Sequence, residues 1–381
     1  MKGRVVALDL TGRRARAALM VDGRLEDLVT APADPDAPTH GRLYRAQVIR
    51  KPGKLGGAFL DLDGTHHGFL RDASTVREGA RLTVQVASLA EPGKAVPVTP
   101  NLLVKGAFAI LTPGRPGTNV SRALKDGERR AALAEAAEAA MSEARDRGMI
   151  PGDTGAIVRT AADAVPPACV AAEIAALAER WDIAADRAAA LDTARATGTV
   201  GGWTAAYAAL IDWAAPLPDV VRVRAEGPDA VETVAALIPD RAWAARIEDA
   251  GRRDPFDEFG LWEAVDALAR PSVPLPSGGR LVIEPTTALV AADVNTGQDL
   301  SSAAGPTANV EAARVLVREL RLRGLGGQVV VDFAPMAKKE RRRVEEALRA
   351  ALKRDPIETV AHGWTTLGLF ELQRKRERPP L

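Results

Sequence analysis

At 381 residues, 46% of them hydrophobic and 4% aromatic, the chain is long enough for two or three domains with real cores, which excludes a disordered protein. Its formal net charge of +1 excludes global basicity as a nucleic-acid signal, so an RNA or DNA site must come from local segregation of charge. One cysteine, Cys169, excludes an internal disulfide framework and a cysteine-rich zinc site; with no apolar run near about 18 residues and no apolar signal core at the N-terminus, the expectation is a cytoplasmic protein without a membrane span.

Residues 4–10 and 15–21 read as a hairpin, Asp22-Gly23 as the next turn, and a third strand runs through Leu28 and Val29. A Pro/Asp/Ala stretch over 31–39 marks a boundary. Short strands with Gly-rich turns follow over 44–49, 57–62, 67–70 and 81–86; roughly five in about sixty residues predict a small closed barrel of the OB type. An Ala-rich helix is predicted over 127–147, a strand over 155–160, and a helix from Pro166-Pro167 towards Thr197. Strands and helices alternate between Trp203 and Arg270, with a strand at 220–223 and a helix at 228–237. After a Pro/Gly/Ser linker at 271–279 come strands at 281–283 and 288–294, a helix at 308–323, a strand at 328–333 and a helix at 337–353. A short basic tail follows 359–362.

Two of these apolar strands carry an Asp at the end: Ala291-Ala292-Asp293-Val294-Asn295 and Val329-Val330-Val331-Asp332. Burying an unpaired carboxylate costs several kcal/mol, so packing does not explain an Asp at such a place. Two of them from neighbouring strands make an oxygen-rich pocket suited to Mg2+, the usual partner of phosphate chemistry. Asp293 and Asn295, two apart on an extended strand, share a face, so Asn295 can orient whatever Asp293 binds; turn or capping roles are the alternative. The three valines before Asp332 suggest a strand buried on both faces.

In the barrel, Phe59 and Phe69 lie beside Gly57 and Gly68 and close to His66, His67 and Lys94. On an outer face they would stack bases; inside they would only fill the barrel. Lys94 can reach a phosphate as a point charge. Arg159 and Thr160 end an apolar strand and form either a compact anion site or an exposed, salt-bridged surface. The basic runs at 338–343 and 373–378 are solvated faces or offsets to a polyanion near the carboxylates.

Together these segments resemble the bacterial ribonuclease E/G family over nearly the whole chain. The resemblance is carried by Leu275-Pro276-Ser277-Gly278-Gly279, Asp293-Val294-Asn295 and Ala308-Asn309-Val310-Glu311-Ala312-Ala313. It continues through Arg321-Leu322-Arg323-Gly324-Leu325-Gly326-Gly327, Val331-Asp332-Phe333, the Phe59 and Phe69 strands and Ile157-Val158-Arg159-Thr160. It implies an α/β and β multi-subdomain protein. A ribonuclease H-like subdomain is split between 1–39 and 200–270; an OB-fold RNA-binding module (40–105) and a 5′-sensor (106–199) are inserted, and a deoxyribonuclease I-like α/β catalytic subdomain (271–381) follows. It implies that Asp293 and Asp332 hold the catalytic Mg2+, with Asn295 alongside, and leaves substitution by Mn2+ open. Phe59, Phe69, His67 and Lys94 would grip single-stranded RNA. Arg159, Thr160, Gly106, Ile110 and Arg122 would surround a 5′-monophosphate. The implied activity is endonucleolytic cleavage of rRNA precursors, mRNA and small RNAs, leaving 5′-phosphate and 3′-hydroxyl ends.

The chain departs from the family in several places. The zinc-binding Cys-Pro-x-Cys element has no counterpart, so no structural zinc is expected, while a homodimer through the catalytic subdomain stays open. The segment between Asn295 and Asn309 is shortened, Pro335 stands where many members carry a second Asp, Thr366 stands where an Arg is expected, the barrel is trimmed after Leu70, and no long scaffold is expected. Two other readings accompany the nuclease: an RNA-binding member with weak or no cleavage, and a metal phosphodiesterase acting on DNA.

Overall fold

The computed structural model describes residues 2–12, 14–53, 56–91, 93–227, 229–298 and 301–381. It is a mixed α/β chain of two compact units, one of residues 1–23 and 30–255, the other of residues 24–29 and 256–381.

In the first unit, β1 (Arg4–Asp9) pairs antiparallel with β2 (Arg16–Val21). Asp22 and Gly23 then turn at positive φ, 49° and 77°, the conformation that Asp-Gly tolerates, and lead into β3 (Arg24–Thr30), whose residues 24–29 count with the second unit. The next five strands are β4 (Leu43–Arg50), β5 (Ala58–Asp61), β6 (His67–Leu70), β7 (Arg81–Val86) and β8 (Val96–Thr99). They join in the order β4-β5-β6-β8-β7, and β7 pairs back onto β4, so the five-stranded barrel is closed as its OB-type pattern predicts. Period-two alternation turns Ala46, Val48, Leu60, Leu70, Val84, Val86 and Val98 into its core.

A small sheet follows, built from β9 (Val104–Lys105), β10 (Ala109–Thr112) and β11 (Thr118–Val120) before helix α1 (Gly127–Asp146), and from β12 (Gly155–Val158) after it. Its order is β11-β12-β10-β9. A 3-10 turn over Thr160–Ala164 leads to α2 (Pro167–Thr193), which opens with a proline in the first turn, where a missing N–H costs nothing. Next come β13 (Gly198–Gly201), paired to β4, α3 (Ala205–Trp213) and β14 (Val220–Arg224). The unit ends with α4 (Ala230–Ala235), α5 (Arg241–Ala244) and β15 (Ile247–Asp249). β14 lies parallel to β1 with β15 beyond it, so residues 4–21 and 220–249 share one sheet across the inserted barrel. Of the helix predicted over 228–237, α4 is the observed part, and Pro228 lies outside the described residues.

Besides residues 24–29, the second unit takes in most of α6 (Pro255–Glu258), then α7 (Trp262–Leu268), β16 (Ser272–Pro274), β17 (Arg280–Pro285) and β18 (Val290–Asn295). Helix α8 (Ala304–Leu322) crosses to β19 (Gly327–Asp332), and α9 (Lys338–Arg354) precedes β20 (Thr359–Trp364) and β21 (Phe370–Arg374). The strand order is β16-β17-β18-β19-β21-β20, with β18 and β19 as its parallel pair. A parallel pair needs a long crossover, which α8 supplies. Ile283, Val290, Ala292, Val294, Val329, Val331 and Leu372 point into a core completed by Ala308, Ala312, Leu316 and Leu320 of α8 and by Val344 and Leu348 of α9.

Two expectations fail here. Strand β19 is not buried on both faces: Gln328 and Asp332 are exposed and Val330 is half-buried, because helices cover one face of the sheet and leave the other open. The predicted basic tail is instead partly a strand. Phe370 and Leu372 of β21 reach the core, and Arg374 is buried against Asp355 at 3.0 Å. Among the described residues no helix is long and apolar enough to cross a membrane.

Candidate active site and RNA interface

Asp293 and Asp332 are register partners: in the parallel pairing of β18 with β19, residue 293 stands opposite residue 332. Adjacent strands lie about 4.8 Å apart, so the two carboxylates rise side by side. Both are exposed, on the face away from α8 and α9. Asn295 shares that face, and its Nδ2 donates to the Oδ2 of Asp293 at 2.6 Å. The Asp-x-Asn therefore works as a side-chain pair on an extended strand and not as a turn or cap. The turn at 275–279 packs on the strand end, where a Cβ on Gly279 would stand 2.4 Å from the carbonyl oxygen of Asn295. The shortened stretch beyond includes Asp299 and Leu300, which lie outside the described residues.

The segment leaving β19 is fixed from the helix side. Asn309 on α8 is fully buried; its Oδ1 accepts from the Ala334 N–H at 2.9 Å and its Nδ2 donates to the Ala334 carbonyl at 2.8 Å. One turn earlier, Gly305 has no Cβ to strike the Pro335 carbonyl, which would be 2.3 Å away. Both contacts act on the backbone two and three residues after Asp332.

On the barrel, Phe59 and Phe69 are register partners of β5 and β6, with ring centroids 5.2 Å apart at 61°. Both are half-buried while their neighbours Ala58, Leu60 and Leu70 fill the core, so the pair sits on the outer face and is no part of the filling. A bulge in β4 brings Arg50 opposite Phe59, its guanidinium 4.9 Å from the ring centroid. Gly57 makes room for the pair: a Cβ there would lie 2.5 Å from the Phe69 ring. His67 is exposed opposite Asp61. Lys94 extends from the loop before β8 and is ion-paired to Glu91, so it is not a bare point charge.

The remaining predicted residues gather at the β9–β12 sheet. Ile110 pairs with Ile157 on one side and Lys105 on the other. Arg159 donates to the Gly106 carbonyl at 2.6 Å and to Asp212 of α3 at 2.9 Å. Lys105 reaches the same carboxylate at 2.8 Å. Thr160 shares a 2.8 Å hydrogen bond with Ser121, next to the exposed Arg122. The amides of Ala107, Phe108 and Ala109 all donate, at 2.7 Å, to the buried Glu173. Burial pushes that carboxyl above its ordinary value, against the pull of the three amides and of Arg159. The three amides are thus already engaged by Glu173.

A model of the Ribonuclease E/G family matches residues 104–377, a span that holds both carboxylates and the Arg159 cluster. The chain belongs to the ribonuclease E/G family. It is 29% identical to ribonuclease G of Escherichia coli (strain K12), over 89% of this chain and 73% of the relative. It is 27% identical to ribonuclease E of the same organism, over 96% of this chain and 36% of that protein. Ribonuclease G of Haemophilus influenzae is 26% identical over 98% of this chain and 80% of its own. Membership of the ribonuclease E/G family makes this chain an endoribonuclease, with RNA as its substrate.

In this ribonuclease E/G chain the donor set at Asp293 and Asp332 is oxygen only. Among the described residues no group of three or more His, Cys, Asp or Glu is placed to cage a metal ion. That set fits a hard cation such as Mg2+, which takes one or two carboxylates and leaves its other positions to water and phosphate. Lys105, Asp212, Glu173, Arg50 and the Asn309 clamp are contacts that the motifs did not single out for a role. Only Asn309 belongs to a segment that carries the family resemblance, and nothing in the spacing gives its partner.

Proposed function

We propose that this chain is a Mg2+-dependent endoribonuclease that cuts single-stranded RNA and leaves 5′-phosphate and 3′-hydroxyl ends. The observation that carries the reading is the register pairing of Asp293 with Asp332 on an exposed sheet face. These two carboxylates would hold the metal, Mg2+ or in its place Mn2+. Bound there, the cation would supply a Lewis acid for the scissile phosphate and a lowered pKa for an attacking water. Asn295 donates to Asp293 and so holds one carboxylate rotamer, leaving its other oxygen free to face the ion. Phe59 and Phe69, with Arg50 beside them, offer a platform for splayed bases, which selects unpaired RNA. His67, two residues before Phe69 on β6, and Lys94, in the loop before β8, would join in holding the RNA. Arg159, Thr160, Gly106, Ile110 and Arg122 would receive a 5′-monophosphate, giving a preference for RNA ends that carry one.

The same reading assigns a ribonuclease H-like subdomain to 1–39 and 200–270, an OB-fold to 40–105, a 5′-sensor to 106–199 and a deoxyribonuclease I-like subdomain to 271–381. Precursor rRNA, mRNA and small RNAs in the cytoplasm are the proposed substrates, and a homodimer through the last subdomain is the proposed assembly. The test compares wild type with Asp293→Asn and Asp332→Asn on 5′-labelled, unstructured RNA bearing a monophosphate or a triphosphate, with Mg2+ or EDTA. Internal cuts that need the metal and both carboxylates support the reading. Tight RNA binding with no metal-dependent cleavage would overturn it in favour of a binding protein.

A further inference from the structure

The helix side of the second unit carries an arginine-rich groove, and the proposed chemistry leaves it without a use. The groove lies along α8 and α9 and encloses about 760 Å3; Arg24, Arg314, Arg318, Arg321, Arg343 and Arg354 line it, against two acidic residues, Glu26 and Glu346. Six cations against two anions in one groove is a strong local bias in a chain of net charge +1. Three of the arginines have internal partners. Arg321 reaches Asp355 at 2.6 Å and Glu26 at 2.8 Å, Arg318 reaches Glu319 at 2.6 Å, and Arg343 reaches Glu340 at 2.9 Å. Arg24, Arg314 and Arg354 are exposed, and their side chains make no hydrogen bond or ion pair to another described residue. Small apolar side chains also line the groove, Ala347, Ala350 and Ala351 of α9 and Val310 of α8, and let a ligand approach close to the helices.

The crowding has an electrostatic trace. Burial lowers the pKa of Arg318, and the like charges of Arg24 and Arg321 add to this against the pull of Glu319 and Glu26. A bound anion would relieve that repulsion. Because α8 and α9 cover the sheet face opposite Asp293 and Asp332, this anion is not the phosphate being cut.

We propose that the α8–α9 groove binds the phosphate backbone of RNA, holding a stretch of chain other than the one at the carboxylates. Guanidinium forks match phosphate oxygens two at a time, and a groove of this volume takes a length of backbone and not a lone ion. The proposal rests on the reading of this chain as an RNA enzyme, but its test is equilibrium binding and needs no cleavage.

The experiment uses the full chain carrying Asp293→Asn, in EDTA, with and without Arg24→Ala/Arg314→Ala/Arg354→Ala, on a long unstructured fluorescent RNA across a salt series. Each phosphate contact on a single strand contributes about 0.7 to the slope of log K against log salt. Losing three should lower that slope by about 2 and weaken binding by at least an order of magnitude at 0.1 M salt. Circular dichroism of the triple variant, altered only at exposed side chains, guards against misfolding. An unchanged slope and affinity in a folded variant would overturn the proposal. So would an unchanged RNA slope with loss of binding to a polyglutamate peptide, which would make the groove a dock for acidic protein. Failure of Asp293→Asn to abolish cleavage would count against the carboxylate assignment and leave the groove result readable.

Discussion

Replacing Asn309 with Ala removes one side chain that satisfies two buried backbone groups, the N–H and the carbonyl of Ala334. Ala334 is itself 5% exposed and Asn309 0%, so water does not replace the lost partners without opening the core. Each buried polar group left unpaired costs about 1–3 kcal/mol, which puts the variant about 2–6 kcal/mol below wild type. That is a large part of the roughly 5–15 kcal/mol that holds a typical domain together. Asn309→Asp keeps the acceptor but sets a carboxylate oxygen against the Ala334 carbonyl, so it should fare no better than Ala. Urea unfolding at constant slope reads the stability loss as a lower midpoint. Because the clamp lies two residues beyond Asp332, cleavage should show a reduced kcat with KM nearly unchanged, at a temperature where the variant is still folded. A normal urea midpoint together with normal kcat would refute the reasoning, since the two bonds would then be contributing nothing.

Phe59→Ala and Phe69→Ala should each weaken binding of unpaired RNA by about 1–3 kcal/mol per base stacked, and leave a single nucleotide 5′-monophosphate's binding unaffected; fluorescence anisotropy with each ligand checks this. Asp212→Asn removes the carboxylate shared by Arg159 and Lys105, and should tighten 5′-monophosphate binding and steepen its salt dependence. A weaker 5′ preference would show instead that Asp212 aims the guanidinium. Asp192 is hydrogen-bonded by Arg45 and Arg81, which lower its pKa from 3.8 to about 2. A depressed carboxyl stabilises the fold above its unfolded pKa and loses that contribution as pH falls through the folded one. Asp192→Asn should therefore be less stable than wild type at pH 7, with the gap in thermal midpoint closing between about pH 4 and pH 2.

Which parts of this protein were legible in its sequence follows the range of the forces involved. The barrel strands and the Asp-ended strands announce themselves because alternation and turn residues are local signals, whereas closing the barrel also takes two non-consecutive pairings, β6 with β8 and β7 with β4. Strand β21 was missed for the opposite reason. Its alternation, Phe370 and Leu372 in and Glu371 and Gln373 out, is interrupted by Arg374, which looks like surface until Asp355 is seen beside it. A buried ion pair 19 residues apart leaves no periodic trace. The same holds at the sites. Asp293 and Asp332 stand out because a carboxylate breaks an apolar run, but their being register partners depends on how α8 returns the chain, which no spacing rule gives. Asp212 is the sharpest case. Arg159 was readable as half of an anion site or as a salt-bridged residue; the fold shows the ion pair, with Asp212 as a partner that no spacing announces. A 5′-phosphate at Arg159 would arrive at a cation already engaged, so its binding is an exchange of one anion for another and its strength is set by Asp212 as much as by the arginine. If Arg159 receives a phosphate as proposed, its selectivity is the difference between a phosphate and a carboxylate, and Asp212 is the place to adjust it without altering Asp293 or Asp332.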